Sequence, residues 1–169
     1  MGTVFSGRIF EVSVNRTRLP NGRVVDIEVV RHPGSVVILP VPDPDHLILV
    51  RQYRYAIDRW IWEFPAGSLK PHEDPVSAAR RECQEEIGLV PEHLVALGEY
   101  FPTPGFCDER MIFYKATALR QPAVPVEPDE DECIERQYFS RPALAELVRR
   151  GEIQDMKTAL GLALLSWAE

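Results

Sequence analysis

Apolar and polar positions change period along this chain, and each change marks an element. Val4 to Val14 and Val24 to Arg31 are rich in β-branched residues and predict strands, with Leu19-Pro20-Asn21-Gly22 between them as a turn. Pro33-Gly34 breaks the chain. Val36 to Val41 and Leu47 to Tyr53 are apolar runs of the length of buried strands, and Pro42-Asp43-Pro44-Asp45 loops between them. Trp60 to Phe64 predicts another short strand, with Trp60, Trp62 and Phe64 expected in the core. The period then lengthens: Val76, Ala79, Cys83 and Ile87 recur at helical spacing and form the expected core stripe of a helix over 76–87. Asp74 is placed to cap its start, Pro75 fits its first turn, and Gly88 suits its end. Strand patterns resume over 94–101 and 110–119, joined by Pro102-Thr103-Pro104-Gly105 as a rigid loop. Gln121 to Glu132, rich in proline and acid, is expected to be a mobile loop. A strand over 134–139 and helices over 141–150 and 155–167 follow, with Gly151 ending the first helix. Strands on both sides of one helix, with helices at the end, predict an α+β fold.

Composition narrows what such a fold can do. The chain has 169 residues, enough for one domain with a substantial core, and a hydrophobic fraction of 45%, ordinary for a globular protein. Its net charge of −7 argues against a nucleic-acid partner held by charge. It does not oppose a phosphorylated small molecule bridged to carboxylates by metal ions. Cys83, Cys107 and Cys133 are widely spaced, with no Cys-x-x-Cys, so neither a zinc site nor a disulfide framework is indicated. Reduced thiols in a cytoplasmic protein are the simplest expectation. Met1 to Phe10 lacks the pattern of a secretory signal, and no apolar run reaches the length of a membrane span, so no membrane partner is expected.

The chemistry concentrates on the first predicted helix. Glu82, Glu85 and Glu86 stand at i, i+3 and i+4 and share a face. Three carboxylates there repel one another unless a cation sits between them, and hard oxygen ligands of this kind suit Mg²⁺ or Mn²⁺. An acidic helix face is usually just solvated. Here Gly67, Glu73, Arg81 and Gly88 flank it in a pattern that a surface helix has no need of.

That pattern is Gly67, five residues, Glu73, seven residues, then Arg81-Glu82-Cys83-Gln84-Glu85-Glu86-Ile87-Gly88-Leu89. It resembles the Nudix box at every fixed position; Cys83 stands where the box asks for an apolar residue, and a buried thiol behaves as one. The resemblance is to a family of hydrolases that cleave nucleoside diphosphates linked to another group. It implies an α/β/α sandwich around a mixed central sheet (residues 33–169), preceded by an N-terminal antiparallel sheet (residues 1–32).

Three outer segments resemble the ADP-ribose pyrophosphatase branch: Arg51-Gln52-Tyr53-Arg54-Tyr55 followed by Trp62-Glu63-Phe64-Pro65-Ala66-Gly67; Tyr100 to Glu109, with Pro104-Gly105 beyond the box; and the acidic loop Asp129-Glu130-Asp131-Glu132. This implies Mg²⁺-dependent hydrolysis of ADP-ribose to AMP and ribose 5-phosphate. Glu82, Glu85, Glu86 and the Ala66 carbonyl are the implied metal ligands, and Glu85 and Arg81 join the catalytic set. Glu130, with Glu132 second, is the implied general base. Arg51, Arg54, Glu28, Pro104 and Gly105 are the implied substrate contacts. The branch also implies a homodimer with exchanged N-terminal strands. Competing expectations are a pyrophosphatase for another nucleoside diphosphate sugar, such as GDP-mannose, and a non-catalytic ADP-ribose sensor; the intact box weighs against the sensor.

Overall fold

The computed structural model describes residues 2–124 and 134–167. In chain order its elements are β1 (Gly2–Ser6), β2 (Glu11–Arg18), β3 (Val24–Arg31), β4 (Ser35–Pro40), β5 (His46–Arg54), a 3₁₀ turn (Tyr55–Ile57), β6 (Arg59–Glu63), β7 (Ala66–Ser68), α1 (Pro75–Ile87), β8 (Val90–Tyr100), β9 (Met111–Arg120), β10 (Ile134–Ser140), α2 (Arg141–Arg149) and α3 (Met156–Trp167).

β4 has no polar face because both its faces are covered. Every residue in it is buried. Its side chains alternate between two cores. Val36 and Ile38 pack with Ile48, Val50, Ile112, Tyr114 and Ala116 beneath α1, against Ala78, Ala79, Cys83 and Ile87. Val37 and Leu39 point the other way, to Leu47, Leu49, Phe64, Phe113 and Phe139 beneath Leu144 of α2 and Leu164 and Leu165 of α3. Helices on both sides of the strands make an α/β/α sandwich.

The central sheet runs β7-β4-β9-β8 and is mixed: β4 lies parallel to β9, and the other pairs are antiparallel. An antiparallel sheet β10-β5-β6 stands beside it, and β1-β2-β3 form the N-terminal antiparallel sheet. Among the described residues no helix is long and apolar enough to cross a membrane.

α1 starts and stops where its punctuation places it. Asp74 accepts a hydrogen bond from the Ser77 N–H at 3.0 Å, Pro75 opens the first turn, and Gly88 takes φ 66°, closing the helix through its N–H to Gln84.

Some expectations fail locally. Val76 is exposed, and Ala78 takes its place in the core: the first turn faces solvent, and a small side chain suits the close approach of β4. Trp60 is also exposed, while Phe64 is fully buried. The single strand expected over 4–14 is a hairpin, because Gly7 donates its N–H to the Phe10 carbonyl at 3.0 Å and turns the chain. β7 is too short to show a period and was not foreseen.

Candidate active site

Gly67 is the middle residue of the short strand β7 beneath α1. A Cβ on it would lie 2.0 Å from the Glu82 carboxyl carbon, so only glycine lets that carboxylate lie against the backbone. Glu82 and Glu86 are both buried, with 7% of their surface exposed. The Ala66 N–H donates to Glu86 Oε1 at 3.3 Å. The helix thus turns two carboxylates inward against β7 at Ala66 and Gly67.

Arg81 stands at the centre of this group. Its Nε and Nη2 donate to Glu73 at 2.8 and 2.9 Å, and its Nη1 donates to Glu82 at 2.5 Å and Glu85 at 2.8 Å. The pair with Glu73 is the largest influence raising the Arg81 pKa, and Arg81 in turn holds the Glu73 carboxyl at about 2. Glu73 also accepts from the Lys70 N–H at 2.9 Å, which fixes the loop ahead of α1. One guanidinium therefore serves three carboxylates, an arrangement with an excess of negative charge. Cys83, on the core side of the same helix, is inert: burial pushes its thiol up to about 12.

A cavity of about 670 Å³ opens in front of the box. Arg81, Glu82 and Glu85 line it together with Gly67–Pro71, Arg31–Pro33 and the β1–β2 turn at Gly7–Glu11. Residue spacing gave no warning that this turn would reach the box. The sheet that carries it is tied to the loop after β8. Val30 donates to the Phe106 carbonyl at 2.8 Å and accepts from the Asp108 N–H at 3.1 Å, and Arg31 pairs with Asp108 at 2.8 Å.

Among the described residues, the implied substrate contacts stand outside this cavity. Pro104 and Gly105 form an exposed turn closed by the Thr103 carbonyl, which accepts from Phe106 and Cys107. Glu28 is exposed on β3 opposite Val14. Arg51 lies over the rings of Trp60 and Trp62, 5.5 and 6.0 Å from their centroids. Arg54 grips Glu63 with Nε and Nη2, each at 2.6 Å. Glu130 and Glu132 lie outside the described residues.

The NUDIX domain model matches residues 31–158. The chain belongs to the Nudix family. It is 36% identical over 166 residues to the ADP-ribose pyrophosphatase of Bacillus subtilis (strain 168), covering 98% of this chain and 90% of that one. It is 33% identical, with the same coverage, to the methanol dehydrogenase activator of Bacillus methanolicus. The crystal structure of an ADP compounds hydrolase matches with a TM-score of 0.83 and 25% identity, over 98% of this chain and 89% of that chain. The α+β architecture is the Nudix fold.

The family implies a divalent metal, and the donor set fits one. Glu82, Glu85 and Glu86 offer hard oxygens on one face, two of them buried, and a single guanidinium does not balance them. The described residues hold no group of three acidic, imidazole or thiol side chains already converged on one point. Arg81 bonds one oxygen of Glu82 and one of Glu85, and each carboxylate has a second oxygen that a cation could use.

Proposed function

We propose that this Nudix protein hydrolyses the diphosphate of ADP-ribose to AMP and ribose 5-phosphate with Mg²⁺, with Mn²⁺ as a substitute. One observation carries the reading: the box helix turns buried Glu82 against Gly67 and buried Glu86 against the Ala66 N–H, while Arg81 bonds Glu82 and Glu85. The relationship to the Bacillus subtilis ADP-ribose pyrophosphatase across nearly the whole chain supports the choice of substrate.

Glu82, Glu85, Glu86 and the Ala66 carbonyl would hold the metal. When bound, the metal supplies Lewis-acid neutralisation of the diphosphate oxygens. Arg81 keeps the carboxylates aligned, and Glu73 keeps Arg81 in place. Arg51 and Arg54 meet phosphate oxygens, for which a planar guanidinium is well shaped. Glu130, or Glu132 in its place, takes the proton from the attacking water. Glu28, Pro104 and Gly105 contact the nucleoside end; β3 and the loop after β8, which carry them, are hydrogen-bonded to each other. Residues 1–32 act as a separate N-terminal unit beside a catalytic domain at 33–169, and β1 to β3 pair with a second copy in a cytoplasmic homodimer. No nucleic acid and no membrane takes part.

The test is chromatographic product analysis with ADP-ribose and Mg²⁺, beside a panel of nucleoside diphosphate sugars that includes GDP-mannose, with Glu86→Gln as control. AMP and ribose 5-phosphate, formed in preference to the panel products and absent with the variant, is the expected result. Preference for another panel member would keep the chemistry and replace the substrate. Binding of ADP-ribose without turnover of any compound would replace the enzyme with a sensor.

A further inference from the structure

Behind the box, the end of β6 is fastened to the start of α3 by side chains that the box pattern does not contain. Glu63 is 1% exposed. Besides the two bonds from Arg54, its Oε2 accepts one from Lys157 Nζ. Lys157 is itself largely buried and lies 3.1 Å from Asp155 Oδ2. Asp155 also accepts from the Thr158 N–H at 2.9 Å and hydroxyl at 2.6 Å. The two cations on Glu63 differ in setting. Lys157 is 10% exposed and sealed inside, whereas Arg54 is 41% exposed. After the charge on Glu63 itself, Glu86 of the box and Asp155 act on Arg54.

Charge accounting gives Lys157 its purpose. Arg54, Lys157, Glu63 and Asp155 together carry no net charge. Without Lys157 the group would carry one net negative charge close to Glu86, and a buried carboxylate facing Arg54 alone would cancel the charge that a phosphate needs. The attachment of α3 to β6 does not depend on Lys157, because the buried Thr158 hydroxyl already accepts from the Phe64 N–H at 2.8 Å.

We infer that Lys157 is a positioning residue for the diphosphate: by neutralising Glu63 from inside, it leaves Arg54 able to meet a phosphate oxygen. The inference rests on the diphosphate reading above but not on which nucleoside or sugar is attached.

The test compares wild type, Lys157→Met, Lys157→Arg and the double variant Glu63→Gln/Lys157→Met on whichever diphosphate the wild type hydrolyses, with thermal melts confirming folding. Lys157→Met is expected to lower kcat/KM by about tenfold or more, chiefly through KM, the worth of one hydrogen bond to a charged group. Lys157→Arg is expected to retain most of the wild-type value. The double variant is expected to recover towards wild type, because glutamine offers Arg54 an oxygen without a charge. A folded Lys157→Met enzyme with wild-type kcat/KM, or a double variant as impaired as Lys157→Met, overturns the inference. If Lys157→Met does not fold, Lys157→Gln takes its place under the same criteria. Failure of the wild type on every diphosphate overturns the functional reading instead. In that case calorimetric titration of inorganic pyrophosphate into the same proteins decides the inference, with binding weakened only in the Lys157 single variant as the expected result and equal binding as the refutation.

Discussion

The box helix and the N-terminal sheet line the same cavity, yet they are built in opposite ways. Around α1 the polar groups are partnered within the chain. Arg81 serves three carboxylates, Arg80 donates to the carbonyls of Pro91 and Glu92, and Arg136 reaches the Ile87 carbonyl at the helix end. In the sheet, Val4, Phe5, Ile9, Phe10 and Val24 are exposed, and the ties to the rest of the molecule gather at Val30, Arg31 and His32. A single chain completes the carboxylate site but leaves the sheet with apolar surface that monomers seldom expose in such density. The contrast separates what one chain preorganises from what a second copy is proposed to finish.

The largest test of the first half is Glu86→Gln. Glutamine keeps an oxygen for the Ala66 N–H, so the melting temperature should change little. The loss of a ligand charge should lower kcat by about 10²–10³-fold, as removal of one electrostatic contact to a transition state does. Near-normal turnover in saturating Mg²⁺ would show that the helix carboxylates do not hold the metal.

Gly67→Ala asks whether the cradle matters apart from charge. The new methyl would collide with the Glu82 carboxylate, the end of a side chain that can swing aside. The expected outcome is a folded protein with kcat/KM lowered by about 10–100-fold, the cost of a carboxylate displaced by an ångström or so. Full activity would mean that Glu82 does its work from another position.

The second half of the comparison breaks or holds on mass. Phe5 and Phe10 pack their rings 5.8 Å apart, and both are exposed. Phe5→Glu/Phe10→Glu should halve the sedimentation mass and leave α1 and its melting transition intact. A wild type that is already monomeric would remove the shared sheet from the functional reading.

The same divide governs what could be read from sequence. α1 was legible from Asp74 to Gly88 because cap, stripe and glycine all lie within one local segment. The carboxylates were legible because helical spacing alone puts Glu82, Glu85 and Glu86 on one face. Local pattern misjudged Val76, since periodicity cannot say where along a stripe burial begins. The Glu63–Lys157 pair joins residues far apart in sequence, and nothing in the spacing of either links them. The approach of Gly7–Glu11 to the box likewise depends on how β3 docks on the loop after β8. Contacts made by docking carry no period.

The smallest effect sharpens the comparison most directly, because each region offers an arginine–carboxylate pair whose carboxyl is held below its ordinary range. Arg81 holds Glu73 at about 2, against an ordinary value of 4.5. A carboxyl depressed in the folded state binds fewer protons there than in the unfolded chain, so stability rises with pH between the two values. The Glu73 contribution is therefore complete above pH 4.5 and is lost as pH falls towards 2. Where the sheet is tied to the loop after β8, burial raises the Asp108 pKa, but Arg31 and the His32 N–H outweigh it and hold the carboxyl below its ordinary range, so the sign is the same. The sizes should differ. The side chains of Arg81 and Glu73 are 20% and 15% exposed, whereas those of Arg31 and Asp108 are 50% and 41% exposed and more strongly screened by water and salt. Urea midpoints measured from neutral to acid pH for wild type, Glu73→Gln and Asp108→Asn should show the wild-type advantage over Glu73→Gln shrinking steeply below pH 4.5. The advantage over Asp108→Asn should be smaller at every pH and should fade with added salt. If the two variants behaved alike, the interior of the box would be no better sheltered than the sheet, and the distinction between the two regions would fail at its electrostatic root.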